Sequence, residues 1–169
     1  VKRLLFLFIL IPIVPLLVYS GDEPAVDMSK VVTDTNALPV NLTAEIARAN
    51  REHKLLLLEF GSSDACPPCI RFEQQVFSTP QFKAFAQSNL DLVHLDFPLK
   101  SDLRPDTVAT NTLLSQQFDA YGFPTFVALD RNGKELWKMP KDGMDPDFEP
   151  LFQPTNFINL IVQLKQKEQ

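Results

Sequence analysis

The chain's only two cysteines stand in Cys66-Pro67-Pro68-Cys69, directly after an apolar run at residues 55–58 that closes in Glu59 and Phe60. That run is short, continuous and apolar, which is the signature of a buried strand. Residues 67–77 are helix-compatible, with Pro67 tolerated in the first turn. The pair therefore sits where a buried strand hands over to a helix, and the fold must cover that strand on both faces. A Cys-x-x-Cys at such a junction is a place where a disulfide can be made and broken reversibly.

The rest of the chain bounds what surrounds this junction. Lys2 and Arg3 precede an apolar stretch at residues 4–19, and Ser20-Gly21 follows as a small-residue exit. Residues 1–20 read as a signal peptide cleaved after Ser20, with an uncleaved N-terminal anchor as the alternative. Residues 21–40 are polar and weakly patterned, a linker, and residues 41–169 form one domain large enough for its own core. Fourteen phenylalanines are available to fill it. The net charge of −5 and the lack of a basic run in the mature part exclude nucleic acid as a partner. Two cysteines are too few to staple an exported scaffold, so they are free for chemistry.

Apolar spacing predicts a helix over 42–53, the strand over 54–60, and a helix over 67–77. Thr79-Pro80 restarts a helix, Thr79 as N-cap and Phe82 and Phe85 facing inward. A second strand follows at 90–97, a loop at 98–105, and a helix at 106–121 carrying Val108, Leu113, Leu114 and Phe118. Residues 125–129 and 134–138 read as a hairpin around Asp130-Arg131-Asn132-Gly133. Residues 139–154 are rich in proline and aspartate and read as irregular. An amphipathic helix over 156–165 closes the chain. This order implies an α/β fold, a mixed sheet covered on both faces.

The thiolate is the species that attacks a disulfide, and a free cysteine titrates near about 8.5. Cys66 lies just before a helical turn whose unpaired N–H groups favour its anion, so it is the expected attacker. Cys69, one turn on, is placed to resolve the mixed disulfide. Two other readings stand beside this one. A structural disulfide closing so short a loop gains little entropy. A metal site would need two ligands more, and His53 and His94 are the only histidines.

Gly122-Phe123-Pro124-Thr125 opens a strand after a helix. With Glu59-Phe60 and Cys-Pro-Pro-Cys before it, this order resembles the thioredoxin family. The resemblance runs roughly over 42–165 and is sharpest in Phe60-Gly61-Ser62-Ser63-Asp64-Ala65-Cys66, in Val76-Phe77-Ser78-Thr79-Pro80-Gln81-Phe82 and in Asp96-Phe97-Pro98. It implies the thioredoxin fold, a central mixed sheet flanked by helices on both faces. It also implies that Pro124 is the cis proline beside the disulfide, and that the Phe123 backbone pairs with an extended substrate. Glu59 resembles the family's buried acid, with one extra residue before Cys66. His94 takes a strand position where the family often has a lysine, so the two residues form a candidate proton relay beneath Cys69. Where the family usually has an aromatic before the first cysteine, this chain has Ala65. Asp64 reads as a loop or capping residue whose charge would oppose the Cys66 thiolate.

The resemblance is to the exported bacterial branch with an enlarged middle loop, and small reductases of DsbH type are the suggestion within it. The expected activity is thiol–disulfide exchange on protein disulfides in the periplasm, by a Cys66/Cys69 cycle needing no cofactor. No positive charge stands between the cysteines to favour a strong oxidant, so reduction is expected, with electrons from a membrane-embedded thiol donor. A disulfide-donating oxidase is the alternative within the class. A copper or zinc chaperone using the two thiols is the alternative outside it.

Overall fold

The computed structural model of the chain describes residues 39–139 and 146–168. The expected signal segment and all but the last two residues of the expected linker lie outside these, as do residues 140–145 and Gln169. None of the helices among the described residues is long and apolar enough to cross a membrane.

Helix α1 spans Leu42–Glu52, capped by the Asn41 side chain accepting the Ala44 N–H. It stops at His53, whose left-handed backbone (φ 56°) turns the chain into strand β1, Leu55–Gly61. Helix α2 spans Pro67–Phe72 and runs on as a π-helical turn over Glu73–Phe77. Helix α3, Pro80–Asn89, has Thr79 as N-cap and passes straight into strand β2, Leu90–Asp96. Helix α4 spans Pro105–Gln117, and strands β3, Thr125–Leu129, and β4, Glu135–Lys138, form the hairpin. Residues 139–154 are not wholly irregular: Pro146–Phe152 winds into a 3₁₀ helix, which accommodates Pro150 because few backbone N–H bonds are forfeited in so short an element. Helix α5 spans Pro154–Glu168.

The sheet order is β2-β1-β3-β4, with β1 parallel to β2 and antiparallel to β3. Strand β1 is inner and buried along its whole length, as its unbroken apolar run requires. Successive side chains alternate faces. Leu55 and Leu57 meet Phe72, Phe82, Phe157 and Ile161, under α2, α3 and α5. Leu56, Leu58 and Phe60 meet Ala49, Leu114 and Phe118, under α1 and α4. Phe85 is only partly buried at the edge of the first of these cores, and Val108 and Leu113 on α4 are exposed.

The first core is aromatic at its centre. The Phe72 ring lies about 5 Å, centroid to centroid, from four others: 5.0 Å from Phe77, 4.8 Å from Phe126, 5.2 Å from Phe152 and 4.9 Å from Phe157. Offset and edge-on rings at such spacing attract beyond their area burial. Phe72 is three residues beyond Cys69, so this cluster fixes the helix that carries the cysteines.

Candidate active site

Strand β1 ends at Gly61, and a short turn delivers Cys66 to the N-cap of α2. The Cys66 Sγ accepts the N–H of Cys69 at 3.2 Å, and the Cys66 carbonyl accepts that of Ile70 at 3.0 Å. Pro67 fills the first helical position, where a missing N–H costs nothing. Cys66 and Cys69 are joined, with an S–S length of 2.02 Å and Cα atoms 5.2 Å apart. Both are buried in this state, at 7% and 5% exposure.

Alternation along β1 puts Glu59 on the same face as Leu55 and Leu57, the face covered by α2. The parallel register pairs Glu59 with His94, so both side chains rise beneath the second cysteine. Glu59 is buried, not an exposed strand-end carboxylate. Its Oε2 lies 2.5 Å from Nδ1 of His94. The carboxylate and the imidazole are thus in ion-pair contact. The ring of Phe77, from the π-helical turn, meets His94 edge-on at 5.8 Å.

Burial alone would push the His94 imidazolium toward losing its proton. The carboxylate of Glu59, helped by those of Glu73 and Asp96, outweighs that and raises its pKa above the ordinary histidine value. Gly61 leaves a gap here: a Cβ on it would lie 3.4 Å from Cys69 Sγ and 3.6 Å from Glu59 Oε1. A cavity of about 240 Å³ includes Glu59, Gly61, Cys69, Glu73 and His94 in its lining. It has room for water between the acid and the second sulfur.

On the other side of the site, the Phe123–Pro124 peptide bond is cis. The Phe123 ring stacks on Phe97 with centroids 5.1 Å apart and planes at 26°. Two aspartates staple the loops together. Asp96, at the end of β2, accepts the Ser63 N–H at 2.8 Å and the Ser63 hydroxyl at 2.7 Å. Asp64 reaches outward and accepts the N–H groups of Leu99 at 2.9 Å and Lys100 at 2.8 Å. The Leu99 N–H, foremost among these donors, holds the Asp64 pKa below the usual aspartate value, so the side chain stays charged. Asp64 thus ties the turn before Cys66 to the loop after β2, a longer reach than local capping.

Residues 40–148 match the family described as the thioredoxin-like domain, more than half of the chain. The chain belongs to the thioredoxin-like family. Within it, the chain is 34% identical over 101 residues to the disulfide bond reductase DsbH of Chlamydia pneumoniae. That alignment covers 60% of this chain and 59% of the relative, so the chain spans about three fifths of the relative's length. A solved structure titled DsbH oxidoreductase superposes with a TM-score of 0.63 at 26% identity, covering 81% of this chain and 89% of that one. A thioredoxin from Thermus thermophilus shares the fold, with a TM-score of 0.52 at 18% identity over 79% of this chain and 88% of its own.

The thioredoxin-like topology separates the two histidines. His53 precedes β1 and Gly61 ends it, so His53 and Cys69 lie at opposite ends of a seven-residue strand, roughly 20 Å of extended chain. They cannot share one tetrahedral ion. Among the described residues no group of three or more His, Cys, Asp or Glu is arranged to hold a metal. Sequence reasoning passed over Gly61, Ser63 and Asp96 as parts of the site. The signal was present: Gly61 and Ser63 stand in Phe60-Gly61-Ser62-Ser63-Asp64-Ala65-Cys66 and Asp96 in Asp96-Phe97-Pro98, where the family resemblance is sharpest, but no role was attached to them.

Proposed function

We propose that this chain reduces protein disulfides through a cycle of Cys66 and Cys69. The Cys66 thiolate attacks one sulfur of the substrate disulfide. The substrate S–S bond breaks, the attacked sulfur stays bonded to Cys66 in a mixed disulfide, and the other substrate sulfur leaves as a thiolate and takes up a proton. Cys69 then loses its proton and attacks Cys66 Sγ, releasing the second substrate thiol. Two electrons pass to the substrate, and the pair is left joined. A dithiol donor must return two electrons and two protons before the next turn.

The single observation that carries this reading is the asymmetry around the pair. The Cys66 sulfur sits at a helix cap facing its own amide donor, while Cys69 backs onto Gly61, the buried Glu59 and a cavity roomy enough for water. The first arrangement favours an anion that attacks; the second supplies a proton acceptor to the sulfur that resolves. Glu59 is the proposed acceptor, through water in the cavity, and His94 the group that holds it in place. Phe123 and Pro124 are the proposed substrate contacts. The name of the Chlamydia relative supports reduction as the direction. So does Asp64, whose negative charge two residues before Cys66 works against the very stable thiolate that a strong oxidant needs.

Export to the periplasm is part of the proposal, supported by Lys2, Arg3 and the apolar residues 4–19. A membrane-embedded thiol partner would then supply the electrons. The test is a Cys69→Ser variant incubated with a disulfide-bonded protein such as insulin. It should accumulate a mixed disulfide at Cys66, while the unaltered pair reduces insulin catalytically. A potential near about −270 mV fits reduction, and one near about −120 mV would reverse the direction. Failure of the variant to trap any adduct would defeat the cycle itself.

A further inference from the structure

Leu99 is 83% exposed, yet its backbone is held in place. Its N–H and that of Lys100 both donate to the Asp64 carboxylate, and the Ser101 hydroxyl lies 3.4 Å from the same group. Asp64 is two residues from Cys66. The loop after β2 is therefore bound to the redox loop itself. An exposed leucine on a wandering loop is ordinary surface. A leucine whose backbone is fixed beside a reactive disulfide has already lost much of the freedom that docking would otherwise cost.

We infer that the Leu99 loop, pinned by Asp64, is a docking element for an extended peptide segment that carries apolar side chains next to its disulfide. This rests on the reading of the chain as a protein-disulfide reductase and deepens it. Three observations select the occupant. The loop is tied to the redox loop: Asp64, two residues before Cys66, holds the Leu99 N–H, and Phe97, two residues before Leu99, stacks on Phe123, which precedes the cis Pro124. Leu99 and Tyr121, the latter 70% exposed just before the Phe123 segment, are large apolar or aromatic side chains open to solvent, beside the exposed Lys100, Ser101 and Asp102. Asp64, the carboxylate nearest the pair in sequence, is already engaged by backbone donors and not free to bind a cation. A leucine or phenylalanine beside a substrate cysteine can bury area against Leu99 and the ring stack, which a small disulfide without such side chains cannot.

The experiment compares three substrates with the full chain in its reduced form. Two are disulfide-linked synthetic peptides of equal length and charge, one with leucines flanking the cysteine and one with serines. The third is a small aromatic disulfide, 5,5′-dithiobis(2-nitrobenzoate), which reports the thiol chemistry without a peptide. Leu99→Ser should lower the ratio of leucine-peptide to small-disulfide kcat/KM about tenfold, mostly through KM, and shift the serine-peptide ratio less than twofold. Asp64→Ala should do the same by freeing the loop, and Asp64→Asn, which keeps one acceptor oxygen, should recover part of the loss. Equal rates on both peptides for the unaltered chain, or Leu99→Ser ratios matching the unaltered ones, would overturn the docking element while leaving the reductase reading intact. If the unaltered chain reduces none of the three, the reductase reading and the docking element fall together.

Discussion

Glu59 and His94 face each other across the parallel pairing of β1 and β2, with carboxylate and imidazole 2.5 Å apart beneath the second cysteine. The contact joins a buried acid to a half-buried ring. The two strands it links are paired in register from Leu55–Leu90 to Gly61–Asp96, which keeps the backbones of the acid and the ring side by side.

A pH dependence of stability follows. His94 has a native pKa raised above its unfolded value near about 6.5, by Glu59 against the opposing effect of burial. The native state therefore binds the proton more tightly than the unfolded chain. The resulting stabilisation is complete below the unfolded pKa and is lost as pH rises through the native one. His94→Gln should cost about 1–3 kcal/mol near pH 6, between the surface and buried regimes for ion pairs, and progressively less toward pH 9. Urea denaturation of both proteins across that range measures it. A constant difference would mean the pair is not charged in the folded state.

Glu59→Gln should leave alkylation of Cys66 in the reduced protein close to normal and slow the resolving step by about 100-fold, the lower end for a lost proton acceptor. Gly61→Ala is the subtler version. Its new methyl would stand 3.4 Å from Cys69 Sγ and 3.6 Å from Glu59 Oε1, ordinary contact distances, so it fits but fills the gap where water would stand. Rapid-quench analysis of the mixed disulfide should show slower decay in both variants. Unchanged decay in Glu59→Gln would remove Glu59 from the proton path.

Phe72→Ala should destabilise the domain by about 3–5 kcal/mol, because four neighbouring rings lose their common partner and α2 loses its anchor. Phe72→Leu should lose less than half of that. Chemical denaturation gives both values. A loss below about 1 kcal/mol for the alanine variant would show that the cluster re-closes around the space.

Gly133 has φ +78° in the hairpin turn, and its N–H donates to the Asp130 carbonyl at 2.9 Å. Gly133→Ala places a Cβ in the left-handed region at a cost of about 1–2 kcal/mol. The clash with Ile46 Cδ1 adds less, since that is the free end of a flexible side chain. A fall in Tm of about 2–8 °C is expected. Gly133→Asn, better suited to that backbone, should fall by less.

Much of the fold was legible because it is written in apolar spacing. The unbroken run in β1, the Thr79-Pro80 start of α3 and the Asp130–Gly133 turn each announce one conformation. The π-helical turn at Glu73–Phe77 does not, because widening a helix by one residue barely disturbs which side chains face inward. The 3₁₀ helix at Pro146–Phe152 is hidden by its own prolines. In the site, the cysteines and the Phe-Pro-Thr are local motifs that can be read directly. The nearness of Glu59 to His94 depends on strand register, which no local pattern carries; it entered only through family resemblance. The reach of Asp64 to Leu99 was illegible for a simpler reason. Its partners are backbone amides, which every residue type but proline possesses and no letter of the sequence marks.

The amide of Cys69 that caps the Cys66 sulfur belongs to the helix backbone, and no mobile side chain has to arrive to supply it. Charge can therefore appear on that atom and vanish again opposite a stationary dipole. The scaffold is already polarised for the ionic form while the bond is closed. The dipole needed by the ionic form is thus built into the main chain before any electron arrives.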